Sequence, residues 1–140
     1  MVLADTGYWL ALANRNDRWH KTALEATRQL VEPLVVTWPV VTETCHLMLS
    51  RLGAEAQLRF IEQVAANVDV HEIGQKRLDD VHMLMAKYSD LPMDLADASL
   101  VVAATDLGEG RILSTDQRDF NAYRWKETEP FHNLMALTAP

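Results

Sequence analysis

Apolar residues in this chain fall into two kinds of stretch that alternate. Short unbroken runs, such as Val2-Leu3-Ala4, Leu34-Val35-Val36 and Ile112-Leu113, read as strands buried on both faces. Longer stretches with apolar residues at helical spacing lie between them. The pattern predicts a strand at 2–5, a helix at 6–13 whose start Thr6 caps, a helix at 19–31 ended by Pro33, and a strand at 34–37. Pro39 opens a helix that runs to about Leu52 and stops at Gly53. A helix at 54–66, a strand at 68–73 and a helix at 75–88 follow. After the loop Ser89-Asp90-Leu91-Pro92, a helix at 94–107 ends at Gly108 and Gly110, and a strand occupies 111–114. The segment 131–137 is expected to add an edge strand, and no repeat, low-complexity stretch or linker interrupts the series.

Strands that alternate with helices imply an α/β fold, a parallel sheet covered on both faces and joined by right-handed crossovers. In such open sheets the binding crevice lies outside the carboxyl ends of the strands. Four acids fall at that edge. Asp5 closes the first apolar run, Glu43 follows Val40-Val41-Thr42, Asp97 leads Ala98-Ser99-Leu100-Val101-Val102, and Asp116 follows Ile112-Leu113-Ser114-Thr115. Asp94 stands one turn before Asp97 on the same helix face. Carboxylates resist burial unless paired, protonated or bound to a metal, so four of them converging would suit a hard cation such as Mg²⁺.

Each acid also suits a purely structural role. Asp5 fits a helix cap, Asp94 a first-turn acid and Asp116 a turn, and Asp119 is assigned to a cap or turn before Phe120 and left out of the site. Glu43 and Asp97 fit such roles less well because each interrupts an apolar helix.

The length of 140 residues fits one domain, and 49% apolar with 24% charged residues is ordinary for a globular protein. No apolar run reaches the roughly 18 residues of a membrane helix. Without a basic leader, and with Cys45 as the only cysteine, the chain is expected in the cytoplasm without an internal disulfide. A net charge of −7 argues against broad nucleic-acid binding by charge alone, but not against a nuclease in which a cation offsets clustered acids. Arg15, Arg18, Lys21 and Arg28 are the candidates for a local basic rim.

Other chemistries fit poorly. Glu43-Thr44-Cys45-His46 has the Glu-x-x-His spacing of di-iron bundles, but Asp79 to His82 is a poor second copy and the strands contradict a bundle. His20, His71, His82 and His132 lack zinc spacing, Cys45 reads as a core thiol, and no Gly-rich phosphate loop is present.

In the order and spacing of VLADTGYWLALANRND (2 to 17), VVTETCHLM (40 to 48), LPMDLADASLVVAA (91 to 104) and ILSTDQRDF (112 to 120), the chain resembles PIN domains, more narrowly the VapC-type ribonuclease toxins of toxin–antitoxin pairs. The resemblance implies a PIN-like three-layer α/β/α sandwich with a central, mainly parallel sheet of four to five strands, one nuclease domain over 1–140. Asp5, Glu43, Asp97 and Asp116 fall on the family's acidic positions, and Thr6 and Ser114 on its hydroxyl positions, Ser114 where threonine is more usual. Implied with them is hydrolysis of RNA phosphodiester bonds with Mg²⁺ or Mn²⁺, the metal held by Asp5, Asp97 and Asp116, with Glu43 completing the catalytic set directly or through water and Thr6, Asp94 and Ser114 in support. Also implied are a homodimer and an antitoxin protein that covers the acids. Tyr8, Trp9, Leu12 and Trp19 are candidates for a partner groove, with core packing the alternative for each; Met83 and Met85 are assigned to helix packing. Two alternatives share the fold: an RNA-processing nuclease outside a toxin pair, and a catalytically weak module that binds RNA or protein.

Overall fold

The computed structural model describes residues 1–136, so Leu137, the last residue of the expected edge strand, lies outside the described residues. Five strands form one parallel sheet. They are β1 (Val2–Ala4), β2 (Leu34–Thr37), β3 (Val68–His71), β4 (Arg111–Leu113) and a short edge strand at His132–Asn133, in the order β3-β2-β1-β4-edge. Between them run α1 (Thr6–Ala13), α2 (His20–Gln29), α3 (Trp38–Leu52), α4 (Ala54–Asn67), α5 (Leu78–Lys87), α6 (Leu95–Leu107) and α7 (Gln117–Ala122). A two-stranded antiparallel hairpin, β5 (Arg124–Trp125) and β6 (Glu129–Pro130), precedes the edge strand, which is therefore β7.

Chain direction dictates where a crevice must form. From β1 the chain steps outward to β2 and β3, then returns past β1 to β4. Right-handed crossovers therefore put α1 to α4 on one face of the sheet and α5 and α6 on the other. The loops leaving β1 and β4 diverge to opposite faces, and the gap between them is the topological switch point.

The sheet is dry because its strands are apolar throughout: Val2, Leu3, Ala4, Val36, Ile112 and Leu113 have no exposed surface. Against it lies α6, buried continuously from Ala96 to Ala104, as its nearly all-apolar circumference requires. Its end is set by Gly108, which takes the left-handed conformation at φ 64°. The other end of the sheet is tied by Arg111, whose guanidinium grips Glu32 at 2.6 and 2.8 Å and Glu109 at 2.7 Å.

Several expected elements are shorter or sit differently. Asp5, not Thr6, caps α1, accepting the Thr6 N–H at 2.7 Å. The second helix begins only at His20, because Asp17 takes the Trp19 N–H at 2.8 Å and holds that stretch in a turn. The expected helix at 75–88 opens as a 3₁₀ turn, Gln75–Arg77, before α5. The segment 117–130, for which the apolar pattern predicts no element, holds α7 and the β5–β6 hairpin. Lys126 and Glu127 turn that hairpin with left-handed φ of 44° and 69°.

Side-chain placement also corrects the candidate groove on the first helix. Tyr8 and Trp9 are buried, and the Tyr8 hydroxyl meets that of Thr27 at 2.7 Å. Leu12 and Trp19 are partly buried against the same core. Met85 packs as expected, whereas Met83 is 66% exposed. Cys45 is free and partly buried. Among the described residues no helix is long and apolar enough to cross a membrane.

Gly7, in the first turn of α1, touches the loop after β4 so closely that a Cβ there would run into the Thr115 hydroxyl. Gly7→Ala is therefore expected to lower stability by roughly 1–3 kcal/mol in thermal melts, as overpacking does. Combining it with Thr115→Ala should recover most of the loss; an additive double variant would contradict the contact.

Candidate metal centre between the ends of β1 and β4

Asp5 leaves β1 straight into the crevice with both carboxylate oxygens engaged. Oδ1 accepts the Thr6 N–H at 2.7 Å, and Oδ2 accepts the Ser114 hydroxyl at 3.0 Å. The same Ser114 oxygen accepts the Asp116 N–H at 2.9 Å, so one hydroxyl at the end of β4 fixes Asp5 and the start of the Asp116 loop together. Ser114 is itself held by Asn133 on β7, whose side chain donates to the Ser114 carbonyl at 2.9 Å and accepts from its N–H at 3.2 Å. A side-chain amide thus continues the β4–β7 ladder by one more rung.

Asp97 enters from the start of α6. Asp94 caps that helix by accepting the Asp97 N–H at 2.8 Å, and the Tyr123 hydroxyl donates to the Asp97 carboxylate at 2.8 Å. Asp116 caps α7 through the Asp119 N–H, at 3.3 Å. That cap brings Asp119 over the crevice: oxygens of Asp97, Asp116 and Asp119 all lie within 4.8 Å of one another. Glu43, half-buried in the second turn of α3, accepts from the Thr6 hydroxyl and faces Asp94. Thr44 supports Thr6 from the same helix at 3.2 Å.

Asp5, Glu43, Asp94, Asp97 and Asp116 therefore share one crevice, and Thr6 and Ser114 hold them. Asp5 stands beside the tight trio without belonging to it. Arg15, Arg18 and Lys21 form no ion pair with these acids among the described residues: Arg15 follows the far end of α1, which at 1.5 Å per residue is roughly 12 Å from Asp5, and Arg18 lies over the Trp19 ring at 5.6 Å. Arg28 pairs with Glu25 instead, at 3.8 Å. The cation beside the cluster is Arg118, 3.6 Å from Asp119. His46, one turn beyond Glu43, is exposed and joins no second Glu-x-x-His motif.

Three contributors lie outside the residues that the sequence singles out for the site. Asp119 is one: it does cap a local turn, and its three-residue spacing from Asp116, one helical turn, is the signal that could have found it. Tyr123 and Asn133 act across long sequence distances and leave no such signal.

The electrostatics are those of crowded anions. Burial raises Asp5 to about 7, against the hydrogen bonds from Thr6 and Ser114, with Glu43 and Asp116 adding repulsion. Burial, then the charges of Asp5 and Asp94, carry Asp97 to about 8 despite the Tyr123 bond. Burial and the facing Asp119 carboxyl raise Asp116 to about 6. Glu43 is raised too, by burial first and by Asp94. Carboxylate oxygens alone, converging and short of compensating charge, form the donor set of a hard divalent cation.

The chain is similar to known proteins along most of its length. The family model described as PIN domain matches residues 2–126. Ribonuclease VapC26 of Mycobacterium tuberculosis (strain ATCC 25618 / H37Rv) is 28% identical over 124 residues, which cover 88% of this chain and 92% of that protein. The crystal structure of Mycobacterium tuberculosis VapC20, described as a sarcin-ricin loop cleaving toxin, superposes with a TM-score of 0.81 at 21% identity, covering 93% of this chain and all of that one.

Because Asp5, Asp97 and Asp116 bind protons more tightly folded than unfolded, the metal-free protein loses stability as pH rises from about 4 to about 8. The loss is expected to be on the order of a few kcal/mol. Thermal melts from pH 5 to 8 should show a falling midpoint, restored by Mg²⁺ more strongly at pH 8 than at pH 5. At pH 8 without metal, Asp97→Asn should melt above the parent protein, and a lower midpoint would contradict the repulsion.

Proposed function

We propose that this chain, which belongs to the PIN domain family, is a metal-dependent endoribonuclease, the toxin of a toxin–antitoxin pair. The observation that carries the reading is the set of three carboxylates within 4.8 Å of one another, with Asp5 beside them, at the switch point of the sheet. The names of the relatives, a ribonuclease and a sarcin-ricin loop cleaving toxin, support the substrate class.

Asp97, Asp116 and Asp119 would hold Mg²⁺ or Mn²⁺, with Asp5 completing the site. When bound, the cation supplies the positive charge and Lewis acidity that hydrolysis at phosphorus requires. The chain's own groups do the positioning. Ser114 keeps Asp5 and the Asp116 backbone at a fixed separation, and Tyr123 fixes the rotamer of Asp97. Glu43, half-buried with its proton held more tightly than usual, is assigned the proton exchange at the reacting oxygen. Thr6 orients it by donating a hydrogen bond. Asp94 serves by capping α6 and setting the angle at which Asp97 projects.

A cognate antitoxin and a homodimer belong to the same reading. Exposed Trp38, Leu78 and Leu95 around the mouth of an apolar groove beside Glu43 supply surface for a protein contact.

Asp97→Asn is expected to lower Mn²⁺-supported RNA cleavage at least roughly 100-fold with the fold retained by circular dichroism. Asp119→Asn should lower it by about 10- to 100-fold, a loss partly recovered at higher Mn²⁺. Full cleavage by Asp97→Asn would refute the site, and full cleavage by Asp119→Asn at low metal would remove that residue from it.

A further inference from the structure

Away from the acids, a cavity of about 430 Å³ runs between α5, α6 and the β5–β6 hairpin. Arg77, Lys87, Arg124 and Lys126 line it, against two carboxylates, Asp80 and Glu127. In a chain of net charge −7 this is a local reversal of sign. Arg77 is neutralised by Asp80 at 2.9 Å and Asp106 at 2.6 Å. The other three have no carboxylate partner among the described residues. Arg124 donates only to backbone carbonyls, those of Asn121, Ala122 and Tyr123. Lys87 and Lys126, both exposed, lie over the rings of Tyr88 and Trp125, at 5.3 and 5.6 Å.

These cations are positioned rather than loose. The Arg124 N–H is held by the Tyr88 hydroxyl at 3.0 Å, and the Lys126 N–H by the Thr105 hydroxyl at 3.1 Å, so the hairpin is pinned to α5 and α6 on both sides of the cavity. Two segments of the chain join the cavity's lining to the acid centre. Arg124 follows Tyr123, whose hydroxyl holds Asp97. Val101, Val102 and Thr105 on its floor lie four to eight residues beyond Asp97 on α6, roughly 6–12 Å along the helix.

We infer that this groove binds the phosphates of the RNA strand that flanks the cleaved bond, leading the strand along α6 to the acids. Its unpaired cations suit a polyanion. The inference rests on the endoribonuclease reading for the position of the cleaved bond, but the groove's affinity for RNA is testable without cleavage.

The test uses the full chain carrying Asp97→Asn, with and without Lys87→Gln and Lys126→Gln, both exposed positions whose folding is checked by thermal melts. Binding of a single-stranded mixed-sequence oligoribonucleotide is followed by fluorescence anisotropy between 25 and 200 mM salt. Loss of two phosphate contacts should weaken binding on the order of tenfold and reduce the slope of log K against log salt by about 1.4. In the parent background the same pair should raise KM for RNA and leave kcat nearly unchanged. Unchanged affinity, slope and KM would overturn the groove while wild-type cleavage left the nuclease reading intact. Weakened binding in a protein that cleaves no RNA would uphold the groove and sink that reading. Failure of the Asp97→Asn protein to bind RNA at low salt, or preferential binding of polyglutamate, would overturn the inference.

Discussion

Burial of mutually repelling carboxylates is the constraint around which the rest of the structure is arranged. Asp5, Glu43, Asp97 and the pair Asp116 and Asp119 come from four separate elements, and nothing in their own charges would bring them together. They meet because each stands at the end of an element that has other reasons to be where it is. β1 and β4 are neighbours in a sheet that buries Val2, Leu3, Ala4, Ile112 and Leu113 completely, and α6 is pressed to the sheet by its apolar circumference. Hydrophobic burial thus offsets the cost of crowding anions, and neutral donors make the crowd tolerable: Ser114, Tyr123, and the Thr6 backbone and hydroxyl.

Much of this was legible in the sequence. The boundaries of α1, β2 and α3 follow from local signals: an acid or threonine before an apolar run, proline in a first turn, glycine at a stop. The acids were legible because a charge at the end of a buried run is costly to keep there, and a cation removes that cost. The segment 117–130 was not, since α7 has only six residues and the hairpin strands two each, too short for any period to show. Asp119 went with it. Its role depends on α7 existing at all, because only a helical turn carries it back over Asp116.

Tyr123 and Asn133 illustrate a different limit. Each is one ordinary polar residue whose partner is 26 or 19 positions away, and no pattern along the chain encodes such a pairing. The start of α1 illustrates a third: threonine and aspartate are both good caps, and adjacent in sequence they compete. Aspartate takes the cap, which frees the threonine hydroxyl to donate to Glu43.

The clamp of Asn133 on Ser114 has a bearing on the order in which the molecule comes into being. During synthesis β1, β2 and β3 can pair while the segments that follow them are still being made. The acid centre cannot: it needs Asp97, Asp116 and Asp119, the hydroxyl of Tyr123, and finally the side chain of Asn133 on the last strand. If the centre cleaves RNA, a ribosome making this protein is shielded from its product until the segment through Asn133 has left the exit tunnel.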